Sequence, residues 1–213
     1  VNTDEIPDNG IDDDNNGFVD DTYGWDFTGE YDNIPQDEHG HGTHVAGTIG
    51  ATRNNNEGIA GVSDNVKIMG LRFLDKQGNG ITSWAINAIE YAVANGAAIS
   101  NNSWGGGGYE TPLYNAIAES GNAGHLFVAA AGNSGNNSDS FPMYPAAYNL
   151  PNILSIAAIN SSGSLAGFSN YGNVTVDIAA PGVNILSTMS GESENCPIPG
   201  SPCYVSWQGT SMA

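Results

Sequence analysis

Two short segments far apart in the chain hold the residue types that acyl transfer needs. "HGTHVAGT" (41–48) supplies an imidazole, and "GTSMA" (209–213) supplies a serine hydroxyl among small neighbours. An imidazole can take the proton of a hydroxyl, and the oxygen then attacks a carbonyl carbon. The oxyanion that forms needs hydrogen-bond donors. His39, His41 and His44 crowd one segment, and His125 stands apart. No two of them have the i, i+4 spacing that places two ligands on one helix face, so a histidine metal site is not indicated.

A second cluster is acidic. The chain has 23 acidic and 4 basic residues, for a net charge of −19, and many of the carboxylates fall within residues 4–38. Such a balance repels nucleic acid and anionic membrane, so neither is expected as a partner. In "DNGIDDDNNGFVDD" (8–21), Asp12, Asp14 and Asn16 alternate, Gly17 follows, and Asp20 comes later. Alternating oxygen side chains before a turn glycine can wrap a hard cation, with the Phe18 carbonyl as a further ligand, and calcium suits that donor set. The loop is not an EF-hand, because Tyr23 stands where the bidentate glutamate would fall. Cys196 and Cys203 sit in a Pro/Gly-rich loop and read as a small disulfide, which implies an oxidising compartment. No histidine lies near them, and a zinc site needs four ligands.

The elements that must position these groups follow from periodicity. Residues 1–38 are polar, acidic and rich in Asn and Gly, and read as loop rather than core. "HVAGTIGA" (44–51) predicts a buried helix, and "ITSWAINAIEYAVANG" (81–96) an amphipathic one with Gly96 as its stop. "TPLYNAIAESGNAG" (111–124) predicts a helix with Thr111 as N-cap and Pro112 in the first position. Strands are expected over 66–74, 97–103, 125–132, 152–159 and 173–180. Continuous apolar strands alternating with helices indicate an α/β domain with a parallel sheet covered by helices. No run of 18 apolar residues is present to span a membrane.

In order along the chain, "HGTHVAGT" (41–48), "SWGG" (103–106), "AAAGN" (129–133), "AAPG" (179–182) and "GTSMA" (209–213) resemble the motifs of the subtilisin-like serine proteases, the subtilases of peptidase family S8. The resemblance covers about residues 39–213. It implies a three-layer α/β fold with a mostly parallel central sheet and helices on both faces. It implies a secreted serine endopeptidase with polypeptide substrates, a monomer by default, working through a Ser-His-Asp triad. His41 would be the general base and Ser211 the nucleophile. Asn133 and the Ser211 N–H would stabilise the oxyanion. His44 would be a buried helix residue, and His39 would lie at the cleft rim. Ser103, Trp104 and Gly105 would pair with substrate as an added strand. Gly105 and Gly106 would form one wall of the primary specificity pocket, and Ala130, Ala131 and Gly132 the other, with Met143 at the base. Small walls imply a preference for medium or large apolar side chains.

The family's aspartate follows a buried apolar strand and precedes a small residue and glycine. "FVDDTYG" (18–24), with Asp20 and Asp21, comes nearest but has Tyr23 in place of the glycine. The aspartate is therefore expected upstream of residue 1. Residues 1–38 form an acidic loop region of the catalytic domain, and 39–213 a protease core truncated at both ends. Such a fragment would have little activity alone. Two other functions compete: an inactive relative that binds peptides, and a calcium-binding structural module. Intact His41, Asn133 and Ser211 speak against the first, and "AAAGN" and "GTSMA" against the second. An α/β-hydrolase esterase is excluded, since no Gly-x-Ser-x-Gly elbow exists.

Overall fold

A computed structural model describes residues 1–29, 31–191, 193, 194, 196 and 203–213. The chain divides into two compact units, one of residues 1–97 with 188–203, the other of residues 98–187 with 204–213.

The first unit holds β1 (Gly24–Asp26), α1 (His41–Gly50), β2 (Gly70–Arg72) and α2 (Thr82–Ala94). β1 and β2 pair in parallel, with Gly24 opposite Gly70. Gly24 has φ +131°, and a Cβ there would lie 1.8 Å from the Gly70 carbonyl oxygen, so the two strands approach this closely only without a side chain. On α2, Ala85, Ala88, Ile89 and Ala92 are buried at the spacing the sequence predicts, and Tyr91 is buried with them. Gly96 follows with φ +75° and ends the helix.

Residues 1–38 are not simply loop, as their composition suggested. Trp25 and Phe27 leave the same side of β1 and its extension, and they join Ala88 and Tyr91 as the unit's aromatic core. Phe18 stacks edge-on against both Trp25 and Tyr91 at 4.8 Å. Asp26 lies between the two aromatics in sequence and is fully buried, but Arg72 ion-pairs with it at 2.9 Å. The same guanidinium reaches Glu38 at 2.8 Å. A period of two, hidden in an acidic background, is why composition missed this strand.

In the second unit are β3 (Ile99–Asn102), α3 (Thr111–Asn122), β4 (Leu126–Ala130), β5 (Ile153–Ile159) and β6 (Ile178–Pro181). They form a parallel sheet in the order β3-β4-β5-β6. This is the α/β arrangement the sequence predicted. α3 buries Leu113, Ala116, Ile117 and Ser120, one stripe at helical spacing, and packs beside β4. Two further strands, β7 (Ile185–Met189) and β8 (Cys203–Trp207), make a separate two-stranded sheet that the sequence reading did not foresee.

Several boundaries differ from expectation, and α1 begins at His41 rather than at His44. The strand expected over 66–74 contracts to β2. α3 begins at Thr111 with Glu110 in the cap position, so Thr111 is not the cap. The strand expected over 173–180 begins only at Ile178, because the preceding loop wraps a carboxylate. Asp139 accepts the N–H groups of Asn173, Val174 and Thr175 and the Thr175 hydroxyl. Those bonds, that of Asn173 first, hold its carboxyl below the ordinary range.

The aromatic core predicts a stability effect. Phe27 is 0% exposed. Phe27→Ala is expected to cost about 3–5 kcal/mol, read as a lower midpoint in urea unfolding with the slope unchanged.

Candidate active site

The second unit gathers most of the predicted groups around one cavity of about 220 Å³. Ser103, Trp104, Gly105, Ala130, Gly132, Asn133, Met143, Thr210 and Ser211 line it. The gathering follows from the sheet. β3 and β4 run parallel, with Asn102 opposite Ala129, so Ser103 leaves β3 where Ala130 ends β4. The cavity lies off the carboxyl ends of adjacent parallel strands, where α/β sheets commonly bind ligands.

Ser211 lies in a turn closed by the Met212 N–H donating to the Gly209 carbonyl at 3.1 Å. Its hydroxyl donates to the Ser103 carbonyl at 3.3 Å, and the Ser103 hydroxyl donates to the Ser211 carbonyl at 2.9 Å. This reciprocal pair ties the serine turn to the end of β3.

Asn133 has its carboxamide turned one way. Its Oδ1 accepts the Thr210 N–H at 2.8 Å and the Thr210 hydroxyl at 3.0 Å. The amide nitrogen is thereby the end left to serve a ligand. Thr210 Oγ1 also accepts the Gly132 N–H at 3.1 Å. Beneath this loop lies Asn170, which is 2% exposed. Its Oδ1 accepts from Ser134 N and Asn136 N, and its Nδ2 donates to the Ala131 carbonyl at 3.0 Å. Neither Thr210 nor Asn170 was picked out from sequence. The signal for Thr210 was its place beside Ser211 in "GTSMA". For Asn170 no motif pointed the way.

The expected pocket walls are partly revised. Gly105, Ala130 and Gly132 line the cavity, whereas Ala131 and Gly106 are not among its lining residues. Ala131 is 1% exposed, and its N–H is committed to the Ile156 carbonyl. The Gly106 N–H is bound to the Tyr144 carbonyl. Met143 does belong to the site. Its Cε would lie 2.5 Å from a Cβ at Gly132 and 3.0 Å from one at Gly105, so the thioether bridges both walls.

His41 belongs to the first unit, as the first residue of α1. Asp37 braces this helix end. One carboxylate oxygen accepts the Gly40 N–H at 2.7 Å, and the other accepts the N–H and hydroxyl of Thr43, each at 2.7 Å. Burial lowers the His41 pKa below its ordinary value. His39 lowers it further, Asp37 opposes, and His44 adds to the lowering. A neutral imidazole is the form a general base needs. His44 is fully buried, and His125 is buried with Nε2 at 2.8 Å from Ser100 Oγ, so both belong to the scaffold.

The acidic loop brings two of the predicted carboxylates together with a third. Carboxylate oxygens of Glu5, Asp12 and Asp14 lie within 4.8 Å of one another. Asp12 and Asp14 were expected, and Glu5 was missed because it stands outside the alternating run. Asp20 is not in this group, and its oxygens accept the N–H groups of Asn9 and Gly10. Asn16 Oδ1 accepts the Phe18 N–H at 2.8 Å, and the Phe18 ring packs into the aromatic core. Asp21 is fully buried and accepts hydrogen bonds from Tyr91, Asn2 and Asn16. Burial first, then that bond to Asp21, push the Tyr91 phenol far above its ordinary range. Asp20 and Asp21 thus have their oxygens occupied in the scaffold.

Cys196 and Cys203 are both buried and lie in hydrogen-bond contact, as thiols in this structure. Burial raises the Cys203 thiol pKa, and a hydrogen bond with Cys196 raises it further. The residues between 196 and 203 lie outside the described ones.

Comparison with known proteins bears on residues 4–213, which match the family model described as the subtilase family. The chain is 41% identical over 191 residues to the thermophilic serine proteinase of Bacillus sp. (strain AK1), covering 89% of this chain and 43% of that protein. It is 40% identical over 190 residues to thermitase of Thermoactinomyces vulgaris, covering 89% and 62%. A crystal structure of a cold adapted subtilisin-like serine proteinase superposes with a TM-score of 0.74 at 35% identity, covering 89% of this chain and 62% of the other. The chain spans less than two thirds of these relatives. Among the described residues, no helix is long and apolar enough to cross a membrane.

Proposed function

We propose, on the premise that this chain belongs to the subtilase family, that it carries the nucleophile, base and oxyanion donor of a secreted serine endopeptidase. The observation that carries this reading is the arrangement of Asn133, Thr210, Ser211 and Ser103 around one cavity. Ser211 Oγ attacks the scissile carbonyl while His41 takes its proton and later returns it to the leaving amine. The oxyanion forms against Asn133 Nδ2 and the Ser211 N–H, where loss of one donor costs roughly 3 kcal/mol of transition-state stabilisation. The aspartate that orients His41 is supplied from outside residues 1–213. Asp20 and Asp21 are otherwise engaged, which supports that assignment.

The substrate is an extended polypeptide that adds as a strand beside Ser103, Trp104 and Gly105, so recognition is largely through backbone. Among the described residues, the cavity lining holds no charged side chain, so a basic side chain would enter without a counter-charge from them. Apolar residues at the cleavage site are favoured. Met143, across the gap between the glycine walls, limits the depth available to them. The protein acts as a monomer and has no nucleic-acid or membrane partner.

Calcium is the proposed cofactor, with a structural role. Glu5, Asp12 and Asp14 fit it chemically, as converging carboxylates suited to a hard cation. Bound there, the ion would neutralise their mutual repulsion and tie the first residues to the loop that supports β1. In the oxidising setting of an exported protein, Cys196 and Cys203 close as a disulfide, for which their contact prepares them.

Three outcomes test the reading. In the full-length protease, casein hydrolysis should disappear in Ser211→Ala. A folded wild type that fails to cleave would favour a peptide-binding protein instead. Thr210→Val keeps the side-chain shape but frees Asn133 Oδ1 from one bond, and should lower kcat about tenfold with little change in KM. Removal of calcium by EDTA should lower the melting temperature by roughly 5–10 °C. Glu5→Gln should shrink that difference, whereas equal melting with and without EDTA would exclude the ion.

A further inference from the structure

The turn that leads into α1 carries a second imidazole that the chemistry above does not use. The rings of His39 and His41 lie edge to face, with centroids 6.3 Å apart and planes at 70°. The turn that holds them is fixed from several sides. The Ser193 hydroxyl donates to the His39 carbonyl at 2.8 Å. Gly40 has φ +92°, and a Cβ there would lie 2.1 Å from Met189 Sδ. The Thr188 hydroxyl donates to the Thr43 carbonyl at 2.9 Å, one turn into the helix. The His39 ring rests against Gly78, where a Cβ would be 3.7 Å from Nε2. His39 is thus held beside His41 by contacts on both its backbone and its ring.

Several of the other charges around the pair are already engaged. Asp37, on the same turn, accepts three hydrogen bonds from the start of α1. Glu38 is ion-paired with Arg72 at 2.8 Å. Asp75, in the turn that carries Gly78, accepts the N–H groups of Gln77 and Asn79. Lys76 lies in that same turn, Glu194 follows Ser193, and His44 lies one turn along α1. Of the groups that act on His41, His39 contributes the largest effect after burial.

We propose that His39 is a positioning residue for the base: a proton on its ring, held beside His41, disfavours protonation there and extends proteolysis further into acid than burial alone allows. The proposal rests on His41 being the general base. His39 acts through His41 and need touch no substrate. At 6.3 Å, a unit charge in a water-like medium moves a neighbour's titration by roughly half a pH unit, and by more where solvent is thin.

The test is the pH profile of kcat/KM for the full-length protease on a neutral peptide. Its acid limb reports the base of the free enzyme. His39→Asn removes the charge, so the acid limb should move to higher pH by roughly half a unit or more. His39→Lys makes the charge permanent and should leave the limb at or below its wild-type position. The gap between the two variants should narrow in 1 M salt, where screening reaches about 3 Å. An unmoved limb in His39→Asn would overturn the proposal. So would a Lys variant that shifts upward together with the Asn variant, because that pattern reports shape rather than charge. Undiminished turnover in His41→Ala would remove the base itself, and failure there is distinguishable from an unmoved limb in an enzyme that still needs His41.

Discussion

Parallel pairing of β3 with β4 in a single register is the constraint on which the candidate cavity depends. Because Asn102 faces Ala129, the two strands end side by side, and the segments beyond them must share space. Ser103 to Gly105 leave one strand, and Ala131 to Asn133 leave the other. A shift of one residue would turn Ala130 and Ser103 to opposite faces of the sheet and disperse the lining. Everything else at the cavity refines this placement. Asn170 clamps the loop after β4 from below, and Thr210 turns the Asn133 carboxamide from above. Ser103 and Ser211 exchange hydroxyl-to-carbonyl bonds. The groups around the cavity come from segments distant in sequence, yet Ser103, Asn133 and Ser211 are each held by a neighbour within it.

The acidic first segment obeys a related rule. Its carboxylates would repel one another if left in one region without partners. Most are turned into hydrogen-bond acceptors for their own backbone. Glu5 accepts Asp13, Asp14 and Asp20 N–H groups, and Asp20 accepts those of Asn9 and Gly10. Asp26 is buried against Arg72, one of only four basic residues in the chain. Removing the arginine would leave a buried charge unpaired, the costly half of such a pair. Charge that looks like a solvated surface from composition is here part of the scaffold.

Chemistry was more legible in this sequence than architecture. "HGTHVAGT", "AAAGN" and "GTSMA" pointed to His41, Asn133 and Ser211 through their resemblance to the family's motifs, because motif order and residue type are carried by the sequence itself. α2 and α3 were legible as well, since their buried residues recur at three and four over a dozen positions. β1 was not, because Trp25 and Phe27 make a pattern of only two apolar residues inside an acidic stretch. The residues that orient others were also hidden. Thr210 and Asn170 act through the direction of a hydrogen bond, which no spacing rule encodes. Glu5 joins Asp12 and Asp14 only after the chain has folded back on itself, so an alternating-carboxylate search looks past it. Asp20 satisfied that spacing but is used elsewhere.

The start of α1 shows how several weak effects settle the state of one group. His41 is the first residue of the helix, where the helix dipole disfavours a cation. Partial burial acts in the same direction, and so does His39. Asp37 pulls the other way, but its carboxylate accepts the Gly40 and Thr43 N–H groups and the Thr43 hydroxyl. Those bonds spend much of its negative potential on the helix end and fix the ring's mount. The carboxylate that stabilises the helix is therefore a weak counter-ion for the imidazole. A histidine so placed stays neutral more readily than a solvated one, which is the condition for accepting a proton from a serine. The geometry of the turn and the electrostatics of the base are thus one design, since the contacts that fix the first also determine the second.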